Sequence, residues 1–238
     1  MRQGRVGPTV LALDSGGSAC SVAVAAGDSV LRVKHREMPH GQAEALLPMV
    51  DRAMREASLE ASALDLVAVT TGPGSFTGIR VGLAAARGIA LALDIPLFGV
   101  TSFEAAAAAC VTSPAAGSLL VALESRRVDL FIQLFDPVRH ALGDPAAIIP
   151  EALAEFVTAS IAGRSLVIAG DAAARAQAAL AASGYLSVVE GGEPAAIGAL
   201  RVILRRWHRG EQPGPARPYY LRPPDVTLMA DRKTPGVS

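Results

Sequence analysis

The chain has 238 residues, 51% of them hydrophobic, and its 22 Lys+Arg are balanced by 22 Asp+Glu. Such a length buries a sizeable core and suits one large domain or two small lobes, while the balanced charge excludes attraction of the whole surface to nucleic acid or membrane and leaves only local patches for a polyanion. Cys20 and Cys110 stand alone without C-x-x-C spacing, which argues against a disulfide scaffold or a cysteine-held zinc and reads as two buried thiols.

From the N-terminus, Met1 to Val10 carries two arginines and no apolar run of signal-peptide length. Thr9 to Asp14, Cys20 to Ala26 and Val30 to Arg36 are short apolar or alternating runs separated by Ser15-Gly16-Gly17-Ser18 and Gly27-Asp28, which predicts a three-stranded antiparallel meander. From Gly41 to Ala57, the residues Leu46, Leu47, Val50, Ala53, Met54 and Ala57 recur at helical spacing, with Pro48 either kinking the helix or opening its stable part. A strand over Leu66 to Thr71, a helix over Thr77 to Leu93, a strand over Leu97 to Val100 and a helix over Ser102 to Cys110 complete a β-β-β-α-β-α-β-α half. The most apolar stretch, Val81 to Val100, is interrupted by Arg87, Asp94 and Pro96, so no membrane contact is expected and the location expected is cytoplasmic.

Between the fourth strand and its helix lies Gly72-Pro73-Gly74-Ser75-Phe76-Thr77-Gly78-Ile79-Arg80-Val81-Gly82. Glycine-rich turns of this kind hold phosphates at helix N-termini, and with the first hairpin turn they make Asp14, Ser15, Gly72, Gly74 and Ser75 the candidate contacts for a nucleotide or other anion. Pro73 is expected to push Gly72 into an extended conformation. The loop has no lysine, so it is not a nucleotide-hydrolysing P-loop, and its spacing is not that of the dinucleotide fingerprint. A tight turn with Ser75 or Thr77 capping the helix is the other reading.

The stretch Val111 to Ser118, with Pro114 and Gly117, is the expected boundary between an N-terminal lobe, residues 1–113, and a C-terminal lobe, residues 114–238, whose last helix and tail are candidates to pack back on the first. Ala12-Leu13-Asp14-Ser15 returns as Ala122-Leu123-Glu124-Ser125, each after an apolar strand, which suggests an internal duplication. Helices are predicted near Ala152 to Ser160, Ala172 to Ala182 and Ala195 to Arg209, and strands at Leu166 to Ala169 and Leu186 to Val189. His35, His40, His140 and His208 show no metal-ligand spacing, G-x-S-x-G is absent, and no catalytic or metal-binding residue is assigned. His40, just before a helix, is the histidine best placed to line a cleft between the lobes.

Two lobes that each open with a hairpin carrying an acid, Asp14 and Glu124, resemble the ribonuclease H-like α/β fold shared by actin, sugar kinases and Hsp70, each lobe a mixed sheet flanked by helices. That resemblance implies a nucleotide between the lobes, with both acids facing one cleft. Read together, Leu11-Ala12-Leu13-Asp14-Ser15, His40 followed by Leu46-Leu47-Pro48, the loop Gly72 to Gly82 and Arg217-Pro218-Tyr219-Tyr220-Leu221-Arg222 resemble the TsaB (YeaZ) family, the bacterial partner of the tRNA threonylcarbamoyladenosine machinery. The family's second hairpin usually reads acid-Ala-Arg, then an acid and an aromatic; here Glu124-Ser125-Arg126, then Asp129 and Phe131, keep charge and bulk. The resemblance implies a non-catalytic subunit that pairs with a TsaD-type catalytic subunit, joined by a TsaE-type ATPase, and that forms a homodimer when alone. No cofactor is then required by this chain itself, with ATP or ADP a candidate in the complex. The catalytic relative holds a metal through two histidines in an Asn-His-Leu-Glu-Ala-His-like segment. Here Thr101-Ser102-Phe103-Glu104-Ala105-Ala106 places Ser102 and Ala106 at those positions, so metal-assisted transfer is not expected.

The helix after the glycine loop has a row of small residues, Gly78, Gly82, Ala86 and Ala90, with Ile79, Leu83, Val81 and Ile89 on other faces. It reads either as wholly buried in its own lobe or as packed on the sheet by one face and on a second protein by its small one. With the preceding helix, the second reading makes Leu46, Met49, Val50, Met54, Gly78, Gly82 and Ala86 the candidate partner interface. Arg201, Arg205, Arg206, Arg209, Arg217 and Arg222, opposed locally by Glu211, read either as a solvated helix face or as an indirect or weak contact with tRNA phosphates. The competing functions are an autonomous ATP-dependent phosphotransferase, favoured by Asp14 and Glu124, and a metallopeptidase, disfavoured by the missing histidines.

Overall fold

The computed structural model describes residues 7–111, 117–161, 165–181, 183–189, 192–212, 214 and 216–222, so the lobe boundary expected around Pro114 lies outside the described residues. The first half opens with β1 (Thr9–Asp14), β2 (Ala19–Ala26) and β3 (Ser29–Glu37), followed by α1 (Gln42–Glu56), β4 (Leu66–Thr70), α2 (Phe76–Leu93), β5 (Leu97–Val100) and α3 (Ser102–Ala109). The second half runs β6 (Ser118–Glu124), β7 (Leu130–Phe135), β8 (Ala146–Ile148), α4 (Leu153–Ser160), β9 (Ser165–Ala169), α5 (Ala173–Leu180), β10 (Leu186–Val189) and α6 (Ala195–His208). The predicted elements are present within a few residues; β8 is the strand the sequence did not announce, three residues with two alanines. Pro48 lies inside α1, which runs through it as one helix.

Each half builds a five-stranded sheet, in the orders β3-β2-β1-β4-β5 and β10-β9-β6-β7-β8. In the first, β1 and β3 flank β2 antiparallel, while β1, β4 and β5 run parallel; in the second, β7 is antiparallel to β6 and β8, while β6, β9 and β10 run parallel. The two sheets therefore share one topology, with Asp14 and Glu124 closing the equivalent strands β1 and β6.

All six residues of β1 are buried, which explains its unbroken rather than alternating apolar pattern. The side-chain period of two divides the strand between two layers: Val10 and Ala12 face α6, while Leu11 and Leu13 join Leu46 and Met54 of α1 and Leu83 and Ala86 of α2. Strand β6 divides likewise, Leu120 and Ala122 toward α4 and α5, Leu119 and Val121 toward Phe103 and Ala107 of α3. The halves thus exchange helices. The last helix of the second half covers the first sheet, and α3, from the first half, covers the second.

Candidate functional site

The connection from β4 to α2 is built by close backbone approach. Gly72 adopts φ +108° before a cis Pro73, which corrects the extended conformation expected for it. A Cβ there would lie 2.6 Å from the Tyr219 carbonyl oxygen, and a Cβ at Gly74 or Gly78 would collide with the carbonyl oxygens of Gly16 and Ser15. Ser75 caps α2, its Oγ accepting from the Gly78 N–H, while its own N–H donates to the Gly16 carbonyl at 2.7 Å. The loop's glycines thus serve a seam with the β1–β2 turn and with the C-terminal segment.

The first hairpin turns its polar groups into the same seam. Ser15 Oγ donates to the Gly78 carbonyl at 2.9 Å. Asp14, 5% exposed, accepts from Thr70 Oγ1 at 2.5 Å and from the Gly16 N–H at 3.4 Å. Burial raises its pKa against those two hydrogen bonds, and the Asp171 carboxylate adds to the rise. Burial, with Asp14 nearby, also pushes the Cys20 thiol up to about 11. Glu124 pairs with Arg175 at 2.5 Å.

A cleft of about 600 Å3 opens between the glycine loop, the β6–β7 turn and residues 219–222; its walls include Gly74, Ser75, Phe76, Ser125, Arg126, Arg127 and Tyr219 to Arg222. Tyr220 stacks on Phe76 with ring centroids 5.6 Å apart, and the Arg80 guanidinium lies 3.4 Å over the other partner of that stack, the Phe76 ring. Tyr219 N–H donates to the Thr71 carbonyl, and Arg222 pairs with Asp129, which is 1% exposed, so residues 219–222 cross from one half to the other. Arg126 (φ +61°), Arg127, the Ser125 hydroxyl and the start of α2 give the cleft a cationic, aromatic character suited to an anion.

Of the five anion candidates, Gly74 and Ser75 line the cleft, whereas Asp14, Ser15 and Gly72 lie behind it in the seam. Neither Asp14 nor Glu124 lines this cleft, the first turned to Thr70 and the second to Arg175. His40 is exposed on the stretch before α1 and does not line it either. Sequence reasoning missed Arg126, Arg127 and the Phe76–Tyr220 pair as site residues. The signals existed in Ser125-Arg126 and in the Tyr219-Tyr220 motif, which were read as family marks alone.

The interface candidates also need correction. Leu46, Met54 and Ala86 are buried, and a Cβ on Gly82 would meet Ser15 Oγ at 2.7 Å, so the row Gly78, Gly82 and Ala86 faces the sheet inside the chain. Small side chains let α2 lie close on β1 and β4; Ile79 and Leu83 are buried beside them, Val81 and Ile89 are half-buried, and Arg80, Ala84, Arg87 and Leu91 are left outward. Met49 and Val50 are half-buried; Leu91, 85% exposed, and Leu47, 53% exposed, are outside. By length and composition α2 is apolar enough to cross a membrane, yet its inner row is taken by the sheet. The arginine run proves largely compensated: Arg201 pairs with Glu193, Arg206 with Glu104, Arg209 with Glu211 and Arg222 with Asp129. Among the described residues no three His, Cys, Asp or Glu gather into a metal-holding group.

Comparison with known proteins agrees on one family. Residues 37–157 match the family model described as TsaD, tRNA N6-adenosine threonylcarbamoyltransferase. An uncharacterized protein of Mycobacterium tuberculosis is 31% identical over 228 residues, covering 93% of this chain and 95% of its own. The tRNA threonylcarbamoyladenosine biosynthesis protein TsaB of Haemophilus influenzae is 32% identical over 139 residues, 57% of this chain and 58% of that protein. The structure of YeaZ from Pseudomonas aeruginosa superposes with a TM-score of 0.74 at 24% identity, covering 90% of this chain and all of that one. The fold is the two-lobed actin, sugar-kinase and Hsp70-like one. The chain belongs to the TsaB (YeaZ) family of tRNA threonylcarbamoyladenosine biosynthesis proteins.

Proposed function

We propose that this chain is the non-catalytic, cytoplasmic subunit that binds and activates a TsaD-type catalytic subunit in threonylcarbamoyl transfer to adenosine 37 of tRNA, with a TsaE-type ATPase as further partner. The observation that carries this reading is the outer face of α1 and α2, where two large aliphatic side chains stay in water among charged and small neighbours, Leu91 at 85% and Leu47 at 53% exposure. Large aliphatic side chains left in water at these two helices gain about 1.5–3 kcal/mol each when a partner buries them. The same face pairs two copies of the chain when the catalytic subunit is absent. A nucleotide, ATP or ADP, fits the cationic and aromatic cleft at Arg126, Arg127 and Phe76, and is bound there in the complex.

An autonomous ATP-dependent phosphotransferase is less well supported, because it needs a carboxylate at the reacting phosphate and both candidates are engaged, Asp14 by Thr70 and Glu124 by Arg175. The test mixes the purified chain with the TsaD-type subunit from the same cell and follows complex formation, tRNA modification and ATP turnover. Modification that needs both subunits, and is lost on Leu91→Glu, is expected. ATP turnover by this chain alone, or full complex formation by a folded Leu91→Glu variant, would sink the reading.

A further inference from the structure

A second cavity, of about 360 Å3, opens between α3, α6 and the turn after β7, and shares no lining residue with the inter-lobe cleft. Its charge is one-sided. Arg139, His140, Arg205, Arg206 and Arg209 line it, and Glu104 is the single carboxylate among its walls.

The flanking cations are held in place from within the chain. The Asp136 carboxylate accepts from the N–H groups of Val138 and His140, which sets the turn that carries Arg139 at φ +72°. Arg206 donates to the Gly99 carbonyl at 3.0 Å and pairs with Glu104 at 2.5 Å, while Arg209 pairs with Glu211 at 2.6 Å. Arg205 differs: its side chain makes no hydrogen bond or ion pair among the described residues. Partial desolvation at the cavity wall lowers its pKa, and the charges of Arg209, Arg201 and Arg206 add to the fall against the pull of Glu104. Guanidinium groups fixed at the walls of a concavity, around one whose neighbours repel it, make a site that an anion relieves, and the planar fork matches phosphate oxygens.

We propose that this cavity binds a phosphoryl group, with Arg205 meeting the anion between Arg139 and Arg206. The same chemistry is offered by the backbone of an RNA and by the phosphate of a free nucleotide. The site is independent of the TsaD-type partnership, since it lies on α3, α6 and the β7–β8 turn.

Trp207 is the chain's single tryptophan, 40% exposed and two positions beyond Arg205 on α6, so its fluorescence reports the site in the full-length chain. Titration with inorganic phosphate is expected to give a saturable change that chloride at equal ionic strength does not. Arg205→Gln is expected to weaken binding at least tenfold. Arg217→Gln, which removes an exposed arginine outside the cavity, is expected to leave it within twofold. A tRNA transcript and AMP then compete with phosphate, and whichever displaces it at lower concentration identifies the source. No saturable change, equal losses in the two variants, or displacement by neither competitor would overturn the site. Both substitutions are at exposed positions, and circular dichroism of each variant confirms that a lost signal is lost binding.

Discussion

Helices α2 and α5 occupy the same place in the same strand order, after β4 or β9 and before β5 or β10, yet α2 has 18 residues and α5 has 8. Their beginnings are alike. Gly78 approaches the Ser15 carbonyl as closely as Gly170, at φ +104°, approaches the Ala122 carbonyl, so both crossovers press a glycine on the neighbouring hairpin strand or its turn. Their outer faces differ. On α1 and α2 the exposed positions include Leu47, Phe76 and Leu91; on α4 and α5 they are Glu155, Thr158, Ala159, Ser160, Ala174 and Ala178. The shared topology supplies the core of each half, and the extra turns of the first half supply surface. That division separates what holds the molecule together from what it offers to other molecules.

The largest expected effect comes from breaking the exchange that joins the halves. Phe103 of α3 is fully buried in the second half's core, and Ile203 of α6 in the first's. Phe103→Ala is expected to cost about 3–5 kcal/mol and Ile203→Ala about 2–5 kcal/mol by urea denaturation. Because each helix is part of the other half's core, either loss should leave a single transition with a lowered midpoint. Two separated transitions would show that the halves fold apart.

Next comes the contrast in outer faces. Leu91→Glu is expected to weaken binding of the TsaD-type subunit at least tenfold, about 1.4 kcal/mol, while leaving stability within about 0.5 kcal/mol, as usual for an exposed site. Ala178→Glu, on the equivalent helix, should change neither. Equal losses of binding, read by calorimetry, would remove the distinction between the two faces.

The repeat was legible because strand, acid and turn recur together, and the strands were legible because both faces of β1, β4 and β6 are covered, which yields unbroken apolar runs. The orientation of α2 was not. Nearly every row of the helix is small or apolar, so periodicity alone cannot say which ones turn inward; Gly78, Gly82 and Ala86 go inside together with Ile79 and Leu83, while Arg80, Ala84, Arg87 and Leu91 stay out. The pairing of the arginine run was hidden for a different reason. Glu104 and Asp129, which neutralise Arg206 and Arg222, are about a hundred residues away in sequence and adjacent only in the fold. The cleft's aromatic pair joins Phe76 to Tyr220 across most of the chain, a contact no local pattern announces.

Asp14 and Glu124 sharpen the comparison at the ends of β1 and β6. Asp14 is buried against a hydroxyl and an N–H, whereas Glu124 has Arg175 as a counter-charge. Because the folded state raises the Asp14 pKa above its ordinary 3.8, the native protein holds this proton more tightly than the unfolded chain. Stability therefore falls as pH rises above 3.8 until the folded pKa is passed, and then levels. Asp14→Asn keeps an acceptor for Thr70 and removes the buried charge. It is expected to raise stability at pH 7, with the gain shrinking as pH is lowered through the folded pKa. Denaturation curves at pH 7 and pH 4 measure it, and a loss at pH 7 would mean that the carboxylate is stabilised by charge after all.

The smallest effect tests how the longer helix begins. Ser75 caps α2 through the Gly78 N–H at 3.3 Å, and α5 starts after Ala172 with no side-chain cap. Ser75→Ala is expected to cost about 1 kcal/mol, at the low end because the bond is long, with the loop held meanwhile by the Ser75 N–H on the Gly16 carbonyl. Since that backbone bond survives the substitution, hydrogen exchange should rise in the first turn of α2 and stay unchanged in β1. If exchange rises equally in β1, the hydroxyl secures the whole seam between hairpin and glycine loop, and the cap and the close glycine contacts act as one unit.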